Sequence, residues 1–258
     1  MGLYIKYLKV HFKSQTQYKM SFTLAFLSQL LVVFGYYFTI LCLFDKFSNI
    51  KGFTLFEVLL TYGIVQFGYS FCETFFRGVD TFDDLIVTGN FDRLLLRPRG
   101  LLIQTFCEEV SFIKLSRLLQ AVIVIIVAVL NLDIDWGIDK VIVLLLMLFG
   151  CVILFLGIFI LMASYCFMTI KGLEIRNVLT DGCKHMAQYP IGIFKKGFFM
   201  FFTFVIPFGF VNYYPLLYLL GKENNPIFII CPLVTVIFLI PCLLTFKLGT
   251  KKYASSGS

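Results

Sequence analysis

Six long apolar segments recur along this chain and constrain its fold more than any other feature. A helix needs about 20 apolar residues to cross the hydrocarbon core of a bilayer, and each segment is at least that long. Soluble domains contain about 25% charged residues, whereas this chain has 14% and is 59% hydrophobic, too apolar to cover a water-exposed surface. We therefore predict an all-α integral membrane protein with six transmembrane helices. The segments are 21–44, 54–76, 112–132, 141–170, 197–220 and 226–246.

The distribution of basic residues predicts the orientation of these helices. If the N-terminus is cytoplasmic, the segments on that side hold 18 of the 22 Lys and Arg residues. The outer connections then hold only Lys46, Lys51, Lys140 and Lys222. Because connections rich in Lys and Arg remain in the cytoplasm, both termini are predicted to be cytoplasmic.

The segments divide the chain into one transmembrane domain, 1–258, with two long cytoplasmic connections. Within residues 1–20, Lys6, Lys9 and Lys13 lie on one stripe of a helix with an otherwise largely apolar surface. This pattern is typical of an amphipathic helix in the headgroup layer. The other regions are spans one and two (21–76), a cytoplasmic region (77–111), spans three and four (112–170), a cytoplasmic loop (171–196), spans five and six (197–246) and a cytoplasmic tail (247–258).

The cytoplasmic region 77–111 has the pattern of a short helix followed by a stop. Thr81 can cap a helix that continues through Ile86, and Gly89 tolerates the left-handed conformation that ends helices. A second amphipathic piece covers 91–96 and precedes an Arg-Pro-Arg sequence. We interpret the region as a structured element with apolar residues spaced for a partner. The alternative is a solvated loop tied to lipid headgroups.

An acidic cluster in the same region, Asp80, Asp83 and Asp84, suggests a different class of function. Such a cluster could hold Mg²⁺ against the diphosphate of a lipid in a membrane-embedded transferase. That chemistry needs a second acidic cluster facing the first. The second cluster of this chain, at 133–139, lies on the opposite side of the membrane when the spans are counted. This disfavours the transferase.

Few polar side chains lie within the predicted spans. They are functional candidates because polar groups are costly in a bilayer, but contacts between packed helices would explain them equally well. Glu73 precedes Arg77 by four residues, a spacing that predicts an ion pair. Lys114 and Arg117 lie in the first turns of the third segment and are expected to extend toward the membrane surface. The candidates are Gln29, Glu57, Gln66 and Glu73.

The segment 197–220 contains residues that interrupt helices, namely Pro207, Asn212 and Pro215. Proline removes a helical hydrogen bond and kinks the chain. Irregular backbone at membrane depth must be covered by protein or face a cavity. Two structures fit these residues: a span that breaks near Val211 and returns as a short outer hairpin, or a single kinked helix.

The sequence contains no P-loop, no GxSxG and no HExxH motif. We therefore predict that the chain is not an enzyme and binds no cofactor or metal of its own. Any nucleotide hydrolysis must come from another chain.

Three stretches of the sequence resemble the type-2 ABC exporter permeases, in particular a subfamily of uncharacterised substrate. They are TGNFDRLLLRPRGLLIQ (88–104), YPIGIFKK (189–196) and IPFGFVNYYPLLYLLG (206–221). The resemblance implies six spans, an N-terminal interfacial helix, a cytoplasmic coupling helix between spans two and three, and a re-entrant outer hairpin before the last span. It also implies two permeases, identical or paralogous, that assemble in the bilayer with a cytoplasmic ABC ATPase dimer.

The resemblance also suggests roles for individual residues. The substrate path would follow the contact between the two permeases. ATP and magnesium would be bound by the ATPase. The residues implied are Thr81, Phe82, Asp83, Asp84, Leu85, Ile86, Gly89, Phe91, Arg93 and Arg97 for ATPase coupling, Lys6, Lys9 and Lys13 for the interfacial helix, and Pro207, Asn212, Tyr213, Tyr214 and Pro215 for the outer hairpin.

The hypothesis that follows is a permease subunit of an ATP-driven exporter in the bacterial cytoplasmic membrane. The abundance of Phe suggests an amphiphilic or lipid-like substrate. The alternatives are the lipid-diphosphate transferase described above, and a channel or scaffold without an ATPase. Nucleic acid is not an expected partner.

Overall fold

The computed structural model describes residues 2–47, 49–169 and 178–253, which are helical apart from turns and one isolated bridge, Ile50 with Phe53. The first half contains α1 (Gly2–Gln15), α2 (Lys19–Lys46), α3 (Leu55–Phe75), α4 (Arg77–Asp80), α5 (Phe82–Val87), α6 (Asn90–Leu95), α7 (Leu101–Glu108), a 3-10 turn (Phe112–Lys114) and α8 (Leu115–Leu130). The second half contains α9 (Ile138–Cys166), a π-turn (Val178–Gly182), α10 (Cys183–Ala187), a 3-10 turn (Ile191–Ile193), α11 (Lys196–Met200) continued by a π-turn (Phe201–Val205), a π-turn (Gly209–Tyr213) leading into α12 (Tyr214–Leu219), α13 (Ile227–Ile230), a 3-10 turn (Cys231–Leu233) and α14 (Val234–Lys252).

Among the described residues, five helices are long and apolar enough to cross a membrane: Lys19–Lys46, Leu55–Phe75, Phe112–Leu130, Ile138–Cys166 and Ile227–Lys252. A sixth candidate is the bent pair Lys196–Val205 and Gly209–Leu219, whose arms meet at 93°. The prediction of an all-helical, multi-pass membrane protein is therefore confirmed, with five continuous candidate spans, or six if the bent pair is one span.

Helix α3 is the centre of the bundle. It packs against α8 and α9, and α9 packs in turn against α14. Nearly every side chain of α3 is buried, whereas α2 exposes large apolar side chains along its length, including Leu31 at 73% and Phe38 at 62%. Helix α2 therefore presents an apolar surface that lipid or another chain must cover.

The packing of α3 on α9 depends on a close approach at Gly68. A Cβ atom at this position would lie 2.7 Å from the sulfur of Cys151 and 2.9 Å from its backbone carbon. Small residues allow membrane helices to approach in this way.

We expect Gly68→Ala to lower the free energy of unfolding in detergent by about 1–3 kcal/mol, because α9 would have to move away. Gly35→Ala is the matched control, since Gly35 also lies within a candidate span and a Cβ there would meet nothing within 4 Å. It should be neutral or stabilise by up to about 1 kcal/mol. Equal effects of the two substitutions would contradict this packing.

The bent pair breaks at residues 206–208, earlier than the predicted break near Val211. Ile206 has an extended conformation (φ −117°, ψ 102°), because the ring of the following Pro207 disfavours the helical conformation in the preceding residue. Neither predicted form is observed unchanged: the bend is far sharper than a kink, and it comes before Val211 rather than at it.

Both ends of the bent pair lie beside the turn that joins α2 to α3. Lys51 Nζ donates to the carbonyl of Ile193, just before the first arm, at 2.8 Å. Lys222 Nζ, just after the second arm, donates to the carbonyl of Gly52 at 3.0 Å. The pair therefore begins and ends at one end of the bundle, which we call the Lys51 end. The other end, where α4–α7 lie, is the α7 end.

The predicted cytoplasmic loop 171–196 needs correction. Its first residues, 171–177, lie outside the described residues, but residues 178–193 run inside the bundle along α3. Asp181 meets Tyr69, Gln188 meets Gln66, and Ile193 meets Lys51 at the far end. The polar side chains of this segment lower its hydropathy, so the sequence suggested a water-exposed loop. In the structure these side chains bond to neighbouring helices and not to water. Lys195 and Lys196, which follow Ile193, therefore lie at the Lys51 end. The predicted excess of Lys and Arg on the cytoplasmic side is smaller by these two residues.

Candidate functional site

Helices α4–α7 form a platform at the α7 end, and an aromatic cluster joins it to the long helices. Phe82 of α5 and Phe91 of α6 are fully buried, with ring centroids 5.2 Å apart. The Phe82 ring also contacts Phe167 just after α9, at 5.1 Å, and Phe246 on α14, at 5.6 Å. Tyr253 packs on Phe91 at 4.9 Å. A displacement of the platform would therefore act directly on the ends of α9 and α14.

The exposed side of this platform differs from the surface predicted for ATPase coupling. Many of the residues predicted to contact the ATPase are buried within this chain. Phe82, Asp83, Leu85, Ile86 and Phe91 are all buried, at 9% exposure or less. They hold the platform to the bundle and are not available to a partner. Several other side chains of the platform are exposed, and we call five of them the platform surface: Asp84, Val87, Arg93, Leu96 and Arg97.

The start of the platform is held by Glu109. Arg77 Nε donates to this carboxylate at 2.7 Å, and the hydroxyl of Thr81 donates to its other oxygen at 2.7 Å. The predicted cap is therefore wrong: α5 begins after Thr81, but the hydroxyl binds Glu109 instead of the helix. Burial alone would lower the pKa of Arg77, but the hydrogen bond and the charge of Glu109 raise it, so the guanidinium remains charged. The predicted stop at Gly89 is confirmed by its positive φ of 68°.

Helix α1 packs on the platform through one face. The hydroxyl of Tyr4 donates to the carbonyl of Phe75 at 2.6 Å, and the Nε2 of His11 lies 3.1 Å from the carbonyl of Cys107. The three lysines predicted for an interfacial helix, Lys6, Lys9 and Lys13, are exposed on other faces. The packed face of the helix is therefore directed at α7 and the end of α3, and its place in the headgroup layer stays a prediction.

Three of the four predicted intramembrane polar residues have structural partners, whereas Gln29 has a buried side-chain oxygen without a hydrogen-bond partner. Glu57 accepts from the backbone of Thr54 at 2.8 Å, forming a capping box at the start of α3, and pairs with Lys222 at 2.8 Å. Gln66 donates to Ser70 at 3.0 Å.

Glu73 is the centre of a buried charge cluster at the α7 end. Its carboxylate lies 2.7 Å from Lys114 and 2.8 Å from Arg117. The predicted partner Arg77 lies at 3.8 Å and binds Glu109 more closely. Lys114 and Arg117 therefore turn inward to Glu73, with side chains 16% and 15% exposed, instead of extending to the membrane surface as predicted.

A polar cavity of about 380 Å³ adjoins this cluster. It lies between α2, α3, the start of α8 and the segment 178–187. On the last of these, Lys184 lies 3.0 Å from Asp181 and 4.3 Å from the ring centroid of Tyr69. Tyr69, Asp181 and Lys184 were not predicted as site residues, because residues 171–196 were expected to lie outside the membrane. The signal was available in the mixture of apolar, small and charged residues at 178–191.

The residues predicted for an outer hairpin lie in the second arm of the bent pair. Asn212 is fully buried and donates to the carbonyl of Ala187 at 2.8 Å, which fixes this arm to the segment along α3. Tyr213 packs on Phe53, and Tyr214 on Phe228. Pro215 lies in the first turn of α12, and Pro207 lies at the break.

The acidic residues of the transferase alternative do not converge. Asp139 binds the hydroxyl of Tyr218 near the Lys51 end, while the platform carries the other cluster at the α7 end. Across residues 2–47, 49–169 and 178–253, no three His, Cys, Asp or Glu side chains are grouped so that they could hold a metal ion.

The long apolar helices define this chain as a multi-pass membrane protein. The sequence model of the family described as ABC-2 family transporter protein matches residues 30–257. The chain therefore belongs to this family, as its resemblance to type-2 ABC permeases predicted. Such proteins are the membrane subunits of transporters, are not themselves enzymes, and normally work with an ABC ATPase. Neither a curated protein nor a solved structure matches the chain.

Proposed function

We propose that this chain is the permease subunit of an ATP-driven exporter and that a separate cytoplasmic ATPase binds its platform surface. The two ATPase subunits would bind ATP and magnesium and close on each other. The permease would act as a dimer, with an identical or a paralogous second chain. The membrane would be the bacterial cytoplasmic membrane, with the α7 end and both termini in the cytoplasm.

The aromatic cluster is the observation that carries this proposal. A surface can transmit movement only if it is attached to the part that must move. Here Phe82 and Phe91 attach the platform to the ends of α9 and α14 through ring contacts of 5.1–5.6 Å. A displacement imposed on the platform would shift these helices as rigid bodies.

The exposed residues of the platform surface supply the chemistry of a protein contact. Leu96 is 86% exposed and Val87 is 55% exposed, although both lie at the water-facing end of the chain under this orientation. Asp84, Arg93 and Arg97 are exposed on the same short helices or just after them and add charged groups. Apolar side chains with a charged rim are typical of a protein interface.

The bent pair would serve as a re-entrant hairpin on the outer side. Its arms begin and end beside the Lys51–Gly52 turn, and the break at Pro207 lies deeper in the bundle, where Phe208 contacts Phe155 of α9 at 5.5 Å. Such an element would close the outer end of a substrate path. The exposed apolar residues of α2 suit an amphiphilic or lipid-like substrate.

Purification of the tagged chain from its native membranes tests the proposal. We expect a P-loop ATPase to co-purify in an equimolar amount, as judged by mass spectrometry. A stable oligomer of this chain alone that conducts ions would instead indicate a channel. Metal-dependent turnover of a lipid diphosphate by the pure chain would indicate the transferase.

A further inference from the structure

We propose that the polar cavity between α2, α3, α8 and the segment 178–187 binds the anionic headgroup of a membrane amphiphile. The cavity has a volume of about 380 Å³, large enough for a phosphate or carboxylate group with part of its attached chain. Its connection to transport rests on the proposed function, but the binding itself does not.

The charge of the cavity favours an anion. Lys114, Arg117 and Lys184 line it with three positive charges, against two negative charges from Glu73 and Asp181. The positive excess lies in a bundle of apolar helices, where an unbalanced charge is costly. An anionic group would balance it.

The hydrogen-bond donors of the cavity also exceed its acceptors. Arg117 uses one nitrogen to bind Glu73, and its buried Nε has no hydrogen-bond partner. Lys114 is paired through a single contact with the same carboxylate, although an ammonium group has three donors. The unused donors are those that bind phosphate or carboxylate oxygens most strongly.

The position of the cavity points to a lipid-like ligand and not to a soluble one. Glu73 lies two residues before α3 ends, so this part of the cavity is near the membrane surface, and Gln66 lies about 10 Å deeper along the helix. One wall is formed by Val32 and Tyr36 of α2, which are partly exposed to the surroundings of the bundle. A headgroup could therefore enter sideways from the cytoplasmic leaflet while its chains remain beside α2.

Lys184 provides the clearest test because the chain contains a matched lysine elsewhere. Lys184 pairs with Asp181 and lies over the ring of Tyr69. Lys222 pairs with Glu57 and lies over the ring of Phe53, at 4.5 Å, but does not line the cavity. Replacing either lysine by glutamine removes an ion pair and a contact with an aromatic ring, and Lys222→Gln also removes the bond to Gly52. Only Lys184→Gln changes the cavity.

The experiment uses the full-length chain in phosphatidylcholine nanodiscs that contain a trace of photoactivatable phosphatidylglycerol, without ATP or ATPase. We expect labelling to map to the cavity walls and to fall by about tenfold or more in Lys184→Gln, as loss of a charge-assisted hydrogen bond implies. Lys222→Gln and Lys184→Arg should be labelled like the wild type. Val32→Trp, which fills the mouth from an exposed position, should also lower labelling and provides the test if Lys184→Gln fails to fold.

Three outcomes would overturn the assignment. One is equal labelling of the wild type, Lys184→Gln and Val32→Trp. Another is equal labelling by photoactivatable phosphatidylcholine, which has no net charge. The third is full competition by millimolar inorganic phosphate, which would identify a free anion as the ligand. Because the assay contains no ATPase, a failure of the proposed transport function would leave these results unchanged.

Discussion

Glu73→Gln is expected to destabilise the chain by about 3–5 kcal/mol, the cost of breaking a buried charge cluster from one side. The substitution keeps the shape of the side chain but leaves Lys114 and Arg117, both within 2.8 Å of the carboxylate, without their acidic partner. Denaturant unfolding in detergent would measure the change.

Glu109→Gln is the matched control for this prediction. Glu109 also lies 2.7 Å from a basic group, Arg77, but its side chain is 43% exposed, compared with 6% for Glu73. Because water and counter-ions screen an exposed pair, we expect a loss of no more than about 1 kcal/mol. Similar losses for the two variants would mean that Glu73 is not the centre of a buried cluster.

Asp84→Arg combined with Val87→Asp is expected to break the contact between permease and ATPase. The two residues are exposed neighbours on the outer face of α5. The change reverses one charge and places another in the apolar centre of the proposed contact. We expect the amount of co-purified ATPase to fall by at least about 30-fold, equivalent to ~2 kcal/mol, with no effect on membrane insertion.

The Lys51 end offers a control with the same chemistry and spacing. Asp135→Arg with Ile138→Asp changes an exposed acidic residue and an exposed apolar residue three positions later. This variant should retain the ATPase, because under the proposed orientation it lies on the outer side. Loss of the ATPase from both variants would show that the contact does not depend on the platform surface.

Asp83 and Leu85 are unsuitable for this test, since both are buried and their replacement would disturb folding.

Hydropathy predicted the parts of the fold whose stability comes from apolar burial. Helices α2, α3, α9 and α14 lie where the apolar segments occur, because a spanning helix satisfies its own backbone hydrogen bonds and needs only apolar side chains outside. The short helices of the platform were also predictable from the turn residue Gly89.

Hydropathy could not predict the segment 178–193, which runs along α3. Its polar side chains find partners on α3, as in the pairs Asp181–Tyr69 and Gln188–Gln66, and these contacts exist only after the helices have packed. The bent pair shows a related limit of hydropathy, because an apolar segment that crosses the membrane and one that enters and returns have the same composition. The break at residues 206–208 was not predicted, since the expected break lay near Val211.

The direction of the side chains in the candidate site could not be predicted. Residues 81–91 form short helices at the α7 end, but a pattern of apolar residues does not tell whether they face a partner or their own bundle. Burial of Phe82 and Phe91 decided this in favour of the bundle. The ion pair of Glu73 with Arg77 was predicted and is present at 3.8 Å. Its two closer partners, Lys114 and Arg117, were missed because they are about forty residues away in sequence.

ATP hydrolysis by the complex purified through a tag on this chain tests the proposed function most directly. In nanodiscs, the wild-type preparation should hydrolyse MgATP, and the Asp84→Arg, Val87→Asp preparation should contain the permease but show almost no hydrolysis. A wild-type chain that purifies intact from its native membranes without ATPase activity, or a double variant that hydrolyses ATP at the wild-type rate, would contradict the proposal.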